Sequence, residues 1–96
     1  MNLSEHLLVV LGEECAEVQK EISKALRFGI HDCAPKTDVT NAEKISIEFI
    51  EAMAARDMLV DLGVISIPEN AKEIYEDKKS RIAHFVGYAK QVGTIK

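Results

Sequence analysis

The sequence predicts an all-α protein, a bundle of three main helices followed by a short C-terminal turn. Three long segments carry apolar residues at three-, four- and seven-residue steps, the spacing of one helix face. No stretch shows the alternation of a strand, apart from the short apolar run 63–67, which is interpreted as a linker. At this length we expect residues 1–96 to form a single domain.

The first helix is predicted to begin near Ser4 and to run to about Phe28. Serine favours the N-cap position because its hydroxyl accepts a hydrogen bond from a free amide of the first turn. Gly29 follows as the expected C-cap, and the aperiodic stretch 30–40 is predicted to be a loop. One face of the helix is apolar, and it carries Leu7, Leu11, Val18, Ile22 and Ala25.

The second helix is predicted to be capped by Thr40 or Asn41, to run to about Leu62 and to end at Gly63. It is apolar nearly all round, through Ile45, Ile47, Phe49, Ile50, Ala52, Met53, Ala54, Ala55, Met58 and Leu59. Such a helix is normally buried on most sides. Three helices leave too little chain to cover it, so we expect another subunit to supply the missing wall.

The third helix is predicted to enter at Pro68, because proline suits the first helical turn, and to run to about Val86. Gly87 is expected to bend or end it. A short final turn, 88–92, would then stop at Gly93.

Composition and charge argue against several classes of function. The chain has 12 Lys and Arg against 16 Asp and Glu, a net charge of −4, whereas a nucleic-acid binder needs a basic face. No segment approaches the roughly 18 apolar residues that span a bilayer, and the start carries Glu5 rather than basic residues. Cys15 and Cys33 lack zinc-ligand spacing. We therefore expect a cytoplasmic protein with free thiols that binds neither nucleic acid nor membranes.

Four glutamates occupy unusual positions on the first two predicted helices. At about 100° per residue, Glu14 projects within roughly 60° of the centre of the apolar stripe, and Glu17 lies at its edge. On the second helix Glu48 and Glu51 share one face with apolar residues. A carboxylate facing a core is costly unless it is paired, protonated or bound to a metal. Because Mg²⁺ and Mn²⁺ prefer carboxylate oxygens, these four glutamates are predicted to be metal ligands.

The same pattern has a simpler interpretation. In a chain with 29% charged residues, a single ExxE pair most often lies on a solvated helix face. Two such pairs, each on or beside an apolar face, leave the metal site and the solvated face as equally supported interpretations.

Basic residues supply a counterpart to the acids. Lys78 falls within the apolar stripe of the third helix, and Arg81 lies at its edge. Either could contact phosphate, while the simpler interpretation of Lys78 is a side chain that buries its stem and exposes its ammonium. Lys24 and Arg27 could also bind phosphate, or could interact with the carboxyl end of the first helix.

The residues around these glutamates resemble a known family. The segment Leu11–Val18 is similar to the EExxE motif of the MazG-like nucleoside triphosphate pyrophosphohydrolases, in the small single-domain form of phages and bacteria. These belong to the all-α NTP pyrophosphatase superfamily. Lys24–Gly29 and Met58–Gly63 resemble the ends of the family's first two helices. Glu48 begins the equivalent of the family's ExxD motif, which here ends in Glu51 instead of aspartate.

The resemblance covers most of the chain and implies an activity. In the family a (deoxy)nucleoside triphosphate is hydrolysed between the α- and β-phosphates, giving the monophosphate and pyrophosphate, as nucleotide-pool house-cleaning. The resemblance implies that Mg²⁺, or Mn²⁺, is bound by the four glutamates and that Glu13 or Glu21 orients the attacking water. It also implies a homodimer or homotetramer.

The basic residues acquire a role from the same resemblance. Lys78 and Arg81 would hold the phosphates, with help from Lys24 or Arg27. The base and sugar preference does not follow from these motifs.

Other metal-dependent helical classes fit less well. His31 and Asp32 form an HD pair, but an HD phosphohydrolase needs further ligands, and only His6 and His84 remain. A di-iron bundle would need ExxH motifs, and the chain has none.

The main alternative is not an enzyme. It is a small helical interaction protein that dimerises through its second helix. Its acids would be structural and would pair across the interface with the basic residues of the third helix.

Overall fold

The computed structural model describes residues 1–96 and contains three α-helices and no strands. They are α1 (Leu3–Phe28), α2 (Asn41–Asp61) and α3 (Ala71–Gln91). A single isolated bridge joins Cys33 to Thr40 within the connection between α1 and α2. The predicted all-α class is confirmed. None of the helices combines the length and apolar character needed to cross a bilayer.

The start of α1 differs from the prediction, and its end agrees with it. The N-cap is Asn2 rather than Ser4, because the Asn2 side chain accepts a hydrogen bond from the Glu5 amide at 2.9 Å. Asparagine caps as well as serine, and the earlier cap adds helical residues. At the other end Gly29 has a φ of 108°, which favours glycine, and its amide donates to the Ala25 carbonyl.

The connection between α1 and α2 is anchored by Asn41. The Asn41 side-chain amide donates to the Gly29 carbonyl at 2.8 Å, and its backbone amide donates to the Asp32 carbonyl at 2.8 Å. Thr40 caps α2 by accepting from the Glu43 amide at 3.1 Å, as predicted. The start of α2 is thereby held beside the end of α1, which aligns the two helices.

The chain divides into two compact units, Met1–Ser66 and Ile67–Lys96. In the first unit α1 packs against α2. The core is small, and its buried apolar residues are Leu7, Val18, Ala25, Ala52, Ala55 and Leu59. Leu59 is the one large side chain with no exposed surface. Because alanines make up half of this core, the backbones of α1 and α2 approach closely, and the side chains among them are tightly placed.

The apolar surface of α2 is buried on one side only within the chain. Ala52, Ala55 and Leu59 face α1, whereas Phe49 and Ile50 are more than half exposed. Within the first unit α1 packs against one face of α2, and the expectation that another subunit covers the rest stays a prediction. The remaining apolar surface is available to a partner.

The second unit contains α3, and both of its predicted boundaries require correction. The helix begins at Ala71, with Asn70 as N-cap, because Pro68 belongs to a preceding turn in which its carbonyl accepts from the Ala71 amide. It continues unbroken through Gly87 to Gln91, since one glycine in a helix interior costs only about 1 kcal/mol. The separate final turn is therefore absent.

No residue of α3 is buried. Its apolar side chains are exposed in the chain, including Ile74, Tyr75, Ile82, Phe85 and Tyr88. A helix with this much exposed apolar surface normally finds a partner surface.

Candidate metal centre

The carboxylates lie where the facing sides of α1 and α2 meet. On α1 the buried residues Val18, Glu21 and Ala25 follow one another at three- and four-residue steps. On α2 the buried residues include Glu48, Ala52 and Ala55, again at three- and four-residue steps. Each helix therefore inserts a glutamate into the series of small residues that packs against the other helix.

Five glutamates form two groups that share Glu48. In the first group, carboxylate oxygens of Glu14, Glu48 and Glu51 lie within 4.8 Å of one another. In the second group, oxygens of Glu17, Glu21 and Glu48 lie within the same distance. All four predicted ligands are thus brought together, and Glu21 joins them.

Burial differs among the five glutamates, since Glu51 is exposed and the Glu17 side chain is 46% exposed, whereas two others are buried. Glu21 is 3% exposed and Glu48 is 6% exposed. The Oε2 atoms of Glu14 and Glu21 are buried and have no hydrogen-bond partner. A buried carboxylate oxygen without a donor is costly, and a bound cation would remove that cost. The donor set, carboxylate oxygens only, fits a hard divalent cation such as Mg²⁺ or Mn²⁺.

Two lysines partly neutralise the most buried glutamates. Lys24 Nζ lies 3.6 Å from Glu21 Oε1, and Lys44 Nζ lies 3.5 Å from Glu48 Oε1. Both separations exceed the roughly 2.7–2.9 Å of a direct charge-assisted hydrogen bond. The pairs are therefore loose, and each covers one oxygen of its glutamate.

A cavity of about 160 Å³ adjoins the second group of carboxylates. Glu21, Lys24 and Lys44 line it on the helix side. The loop and the start of α2 provide the remaining walls, through Ala34, Thr37, Val39, Asn41 and Ile47. A second cavity of about 430 Å³ shares Lys24, Ala34 and Asn41 with the first, so the two cavities are neighbours.

Two predicted site residues lie outside this arrangement. Glu13 is exposed and belongs to neither group of carboxylates. The guanidinium carbon of Arg27 lies 5.0 Å from the centroid of the Phe28 ring, a cation–π contact. Lys24, by contrast, stands beside the cluster and its cavity.

Lys78 and Arg81 belong to the second unit. They line one groove of about 350 Å³ with apolar residues of α3 and with Ile95. Their predicted contact with phosphates stays a prediction.

The sequence analysis did not identify Glu21 as a member of the carboxylate cluster or Lys44 as its neighbour. A signal for both was present in the spacing. Glu21 lies four residues after Glu17 and seven after Glu14, which places all three on one face of α1. Lys44 lies four residues before Glu48, the spacing of a helical ion pair.

Fold and site together define an all-helical protein with a partly buried cluster of carboxylates whose geometry could hold a metal ion. The chain matches no family model, no curated protein and no solved structure. The resemblance to the MazG-like pyrophosphohydrolases, carried by the motifs around Glu14 and Glu48, therefore stays a prediction.

Proposed function

We propose that this protein is a metal-dependent nucleoside triphosphate pyrophosphohydrolase, which converts a (deoxy)nucleoside triphosphate to the monophosphate and pyrophosphate. The observation that carries the proposal is the position of Glu48, buried and shared by two groups of three carboxylates. Glu21 is buried beside it, and a protein rarely buries two neighbouring carboxylates unless a cation or a donor compensates them.

The chain supplies a distinct role for each part of the cluster. Glu14, Glu48 and Glu51 would hold one Mg²⁺, and Glu17 and Glu21, with the shared Glu48, could hold another. When bound, Mg²⁺ would activate water and neutralise charge on the phosphates. Glu21 is better placed than Glu13 to accept a hydrogen bond from the attacking water, because Glu21 belongs to the cluster and its buried Oε2 has no hydrogen-bond partner. Attack at the α-phosphorus breaks the bond to the bridging oxygen, and pyrophosphate leaves.

The exposed apolar surface supports a homo-oligomer as the working form. Phe49, Ile50 and Met53 project from α2, and α3 has no buried residue. Surface of this kind is covered in most stable proteins.

The test of the activity is pyrophosphate release from a panel of NTPs and dNTPs with Mg²⁺, with Mn²⁺ and with EDTA. We expect monophosphate and pyrophosphate in equal amounts, formed only when metal is present. The rates across the panel would identify the preferred base and sugar. A folded protein that releases no pyrophosphate with either ion would contradict the proposal.

Replacing Ile50 by Asp tests the oligomer. Ile50 is 64% exposed, so the single chain loses little by the change, while an apolar interface is destabilised by a buried charge. We expect the wild-type protein to elute as a dimer or tetramer in light-scattering chromatography and the variant to dissociate. Lys20→Asp, on the exposed side of α1, is the control and should leave the mass unchanged. A monomeric wild-type protein would contradict the prediction.

The second candidate is a non-catalytic helical interaction protein. The exposed apolar residues of α3 support it as much as they support an oligomeric enzyme. Thermal unfolding separates the two. An enzyme should gain stability from millimolar Mg²⁺ with a non-hydrolysable nucleotide, since both bind the folded state. Structural ion pairs such as Lys44 with Glu48 should respond to neither.

A further inference from the structure

We propose that Lys24 and Lys44 are internal counter-ions that occupy the carboxylate cluster until a divalent cation displaces them, and that the released ammonium groups then bind a phosphate group in the adjoining cavity. The cation half rests on the same carboxylates as the proposed function. The part of the proposal that concerns phosphate also rests on the proposed function, because that function is the reason to expect a phosphate ligand.

The geometry of the two ion pairs would allow a divalent cation to replace the lysines. Lys24 and Lys44 reach only the Oε1 atoms of Glu21 and Glu48, at 3.6 and 3.5 Å. Mg²⁺ binds carboxylate oxygens at about 2.0–2.1 Å and carries twice the charge. An ammonium and a divalent cation also repel each other, so a bound cation weakens the attraction between each lysine and its carboxylate. Cation binding therefore favours movement of the lysines away from Glu21 and Glu48.

Both lysines have somewhere to move. Their side chains are 30% and 44% exposed, and both line the 160 Å³ cavity next to the cluster. Glu21 is the only acid among the lining residues of that cavity. Once a cation neutralises Glu21, the cavity presents the two ammonium groups of Lys24 and Lys44 with no acid beside them. That is a set of donors for an anion.

The size of the cavity selects the kind of anion. Cavities that enclose a complete drug-sized ligand measure about 300–1,000 Å³, so 160 Å³ suits a phosphate group rather than a whole nucleotide. The larger cavity that shares Lys24 and Asn41 could receive what is attached to the phosphate. Cation and phosphate are then expected to bind cooperatively, because the first ligand releases the residues that bind the second.

The first experiment measures Mn²⁺ affinity by electron paramagnetic resonance, without any phosphate. Lys24→Met and Lys44→Met should each bind Mn²⁺ about three- to tenfold more tightly than wild type, because the competing ammonium is gone. Lys20→Met is the matched control. Lys20 also pairs with a glutamate of the cluster, Glu17, but at 3.9 Å, with a side chain 62% exposed and outside the cavity. It should change Mn²⁺ affinity by less than about twofold.

The second experiment titrates inorganic phosphate into protein saturated with Mg²⁺, followed by phosphorus NMR. Lys24→Met and Lys44→Met should weaken phosphate binding by about tenfold each, and Lys20→Met should leave it unchanged. The opposite signs of the two effects are the signature of a displaced counter-ion. A purely structural ion pair would not produce them.

Three results would overturn the proposal. Mn²⁺ affinities of Lys24→Met and Lys44→Met equal to that of Lys20→Met would show that no displacement occurs. Unchanged phosphate affinity in both variants would show that the released lysines do not bind phosphate. In either case, a wild-type protein that binds Mn²⁺ leaves the proposed hydrolase activity standing. A wild-type protein that binds no Mn²⁺ would overturn the hydrolase proposal as well.

Discussion

Glu48→Gln is expected to abolish metal-dependent hydrolysis while the protein stays folded. Glu48 is the one carboxylate in both groups, so the change removes a ligand from each. Misplaced or missing groups at a reacting centre commonly cost a hundredfold, and we expect the pyrophosphate release rate to fall by at least about that factor. The substitution keeps the size of the side chain and relieves repulsion among clustered carboxylates. The free energy of unfolding without metal should therefore be equal to or above that of wild type.

The effect of Mg²⁺ on thermal stability provides a second measurement on Glu48→Gln. Wild-type protein should gain thermal stability with millimolar Mg²⁺, and Glu48→Gln should lose that gain. Asp61→Asn is the control, because Asp61 is exposed at the end of α2 and belongs to neither group. Rates within about twofold of wild type for Glu48→Gln would contradict the metal centre. A large loss of stability without any metal-dependent effect would favour structural ion pairs instead.

Leu59→Ala is expected to cause the largest loss of stability of any single truncation in the first unit. Leu59 has no exposed surface, and half of the buried apolar residues are alanines, whose short side chains cannot expand into a void. Truncating a buried leucine costs about 2–5 kcal/mol, through lost burial and the cavity that remains. The free energy of unfolding of native proteins is only about 5–15 kcal/mol, so this loss is a large fraction of the total.

Urea unfolding followed by circular dichroism measures the effect of Leu59→Ala. Leu26→Ala is the matched control, since Leu26 lies on α1 with 83% of its surface exposed. It should change the free energy of unfolding by less than about 0.5 kcal/mol. Equal effects of the two variants would contradict the packing of α1 against α2 around Leu59.

Helix positions followed from local chemistry and were therefore predictable, whereas some helix ends were not. Gly29 was identified as a cap because it adopts a conformation that few other residues reach, and Thr40 was one of two candidate caps, with Asn41, because both side chains offer an acceptor. Asn2 and Ser4 offer equivalent caps two residues apart, and propensity alone does not separate them. Pro68 was predicted to begin the third helix, but proline also suits a turn, and Pro68 lies in the turn before α3.

The sequence by itself determined the all-helical class and the four glutamates Glu14, Glu17, Glu48 and Glu51 as one candidate site. Periodicity is enough for the class and places both glutamate pairs on or beside apolar faces, because the helical repeat sets which side chains share a face. The choice of a metal site over a solvated face came from the resemblance to the MazG-like family. Only the tertiary structure decided how deeply the acids are buried, that Glu21 joins them, and that Lys44 and Lys24 stand beside them. These properties depend on the close approach of α1 to α2 through small residues. That approach is a relation between segments distant in the chain, and local spacing does not encode it.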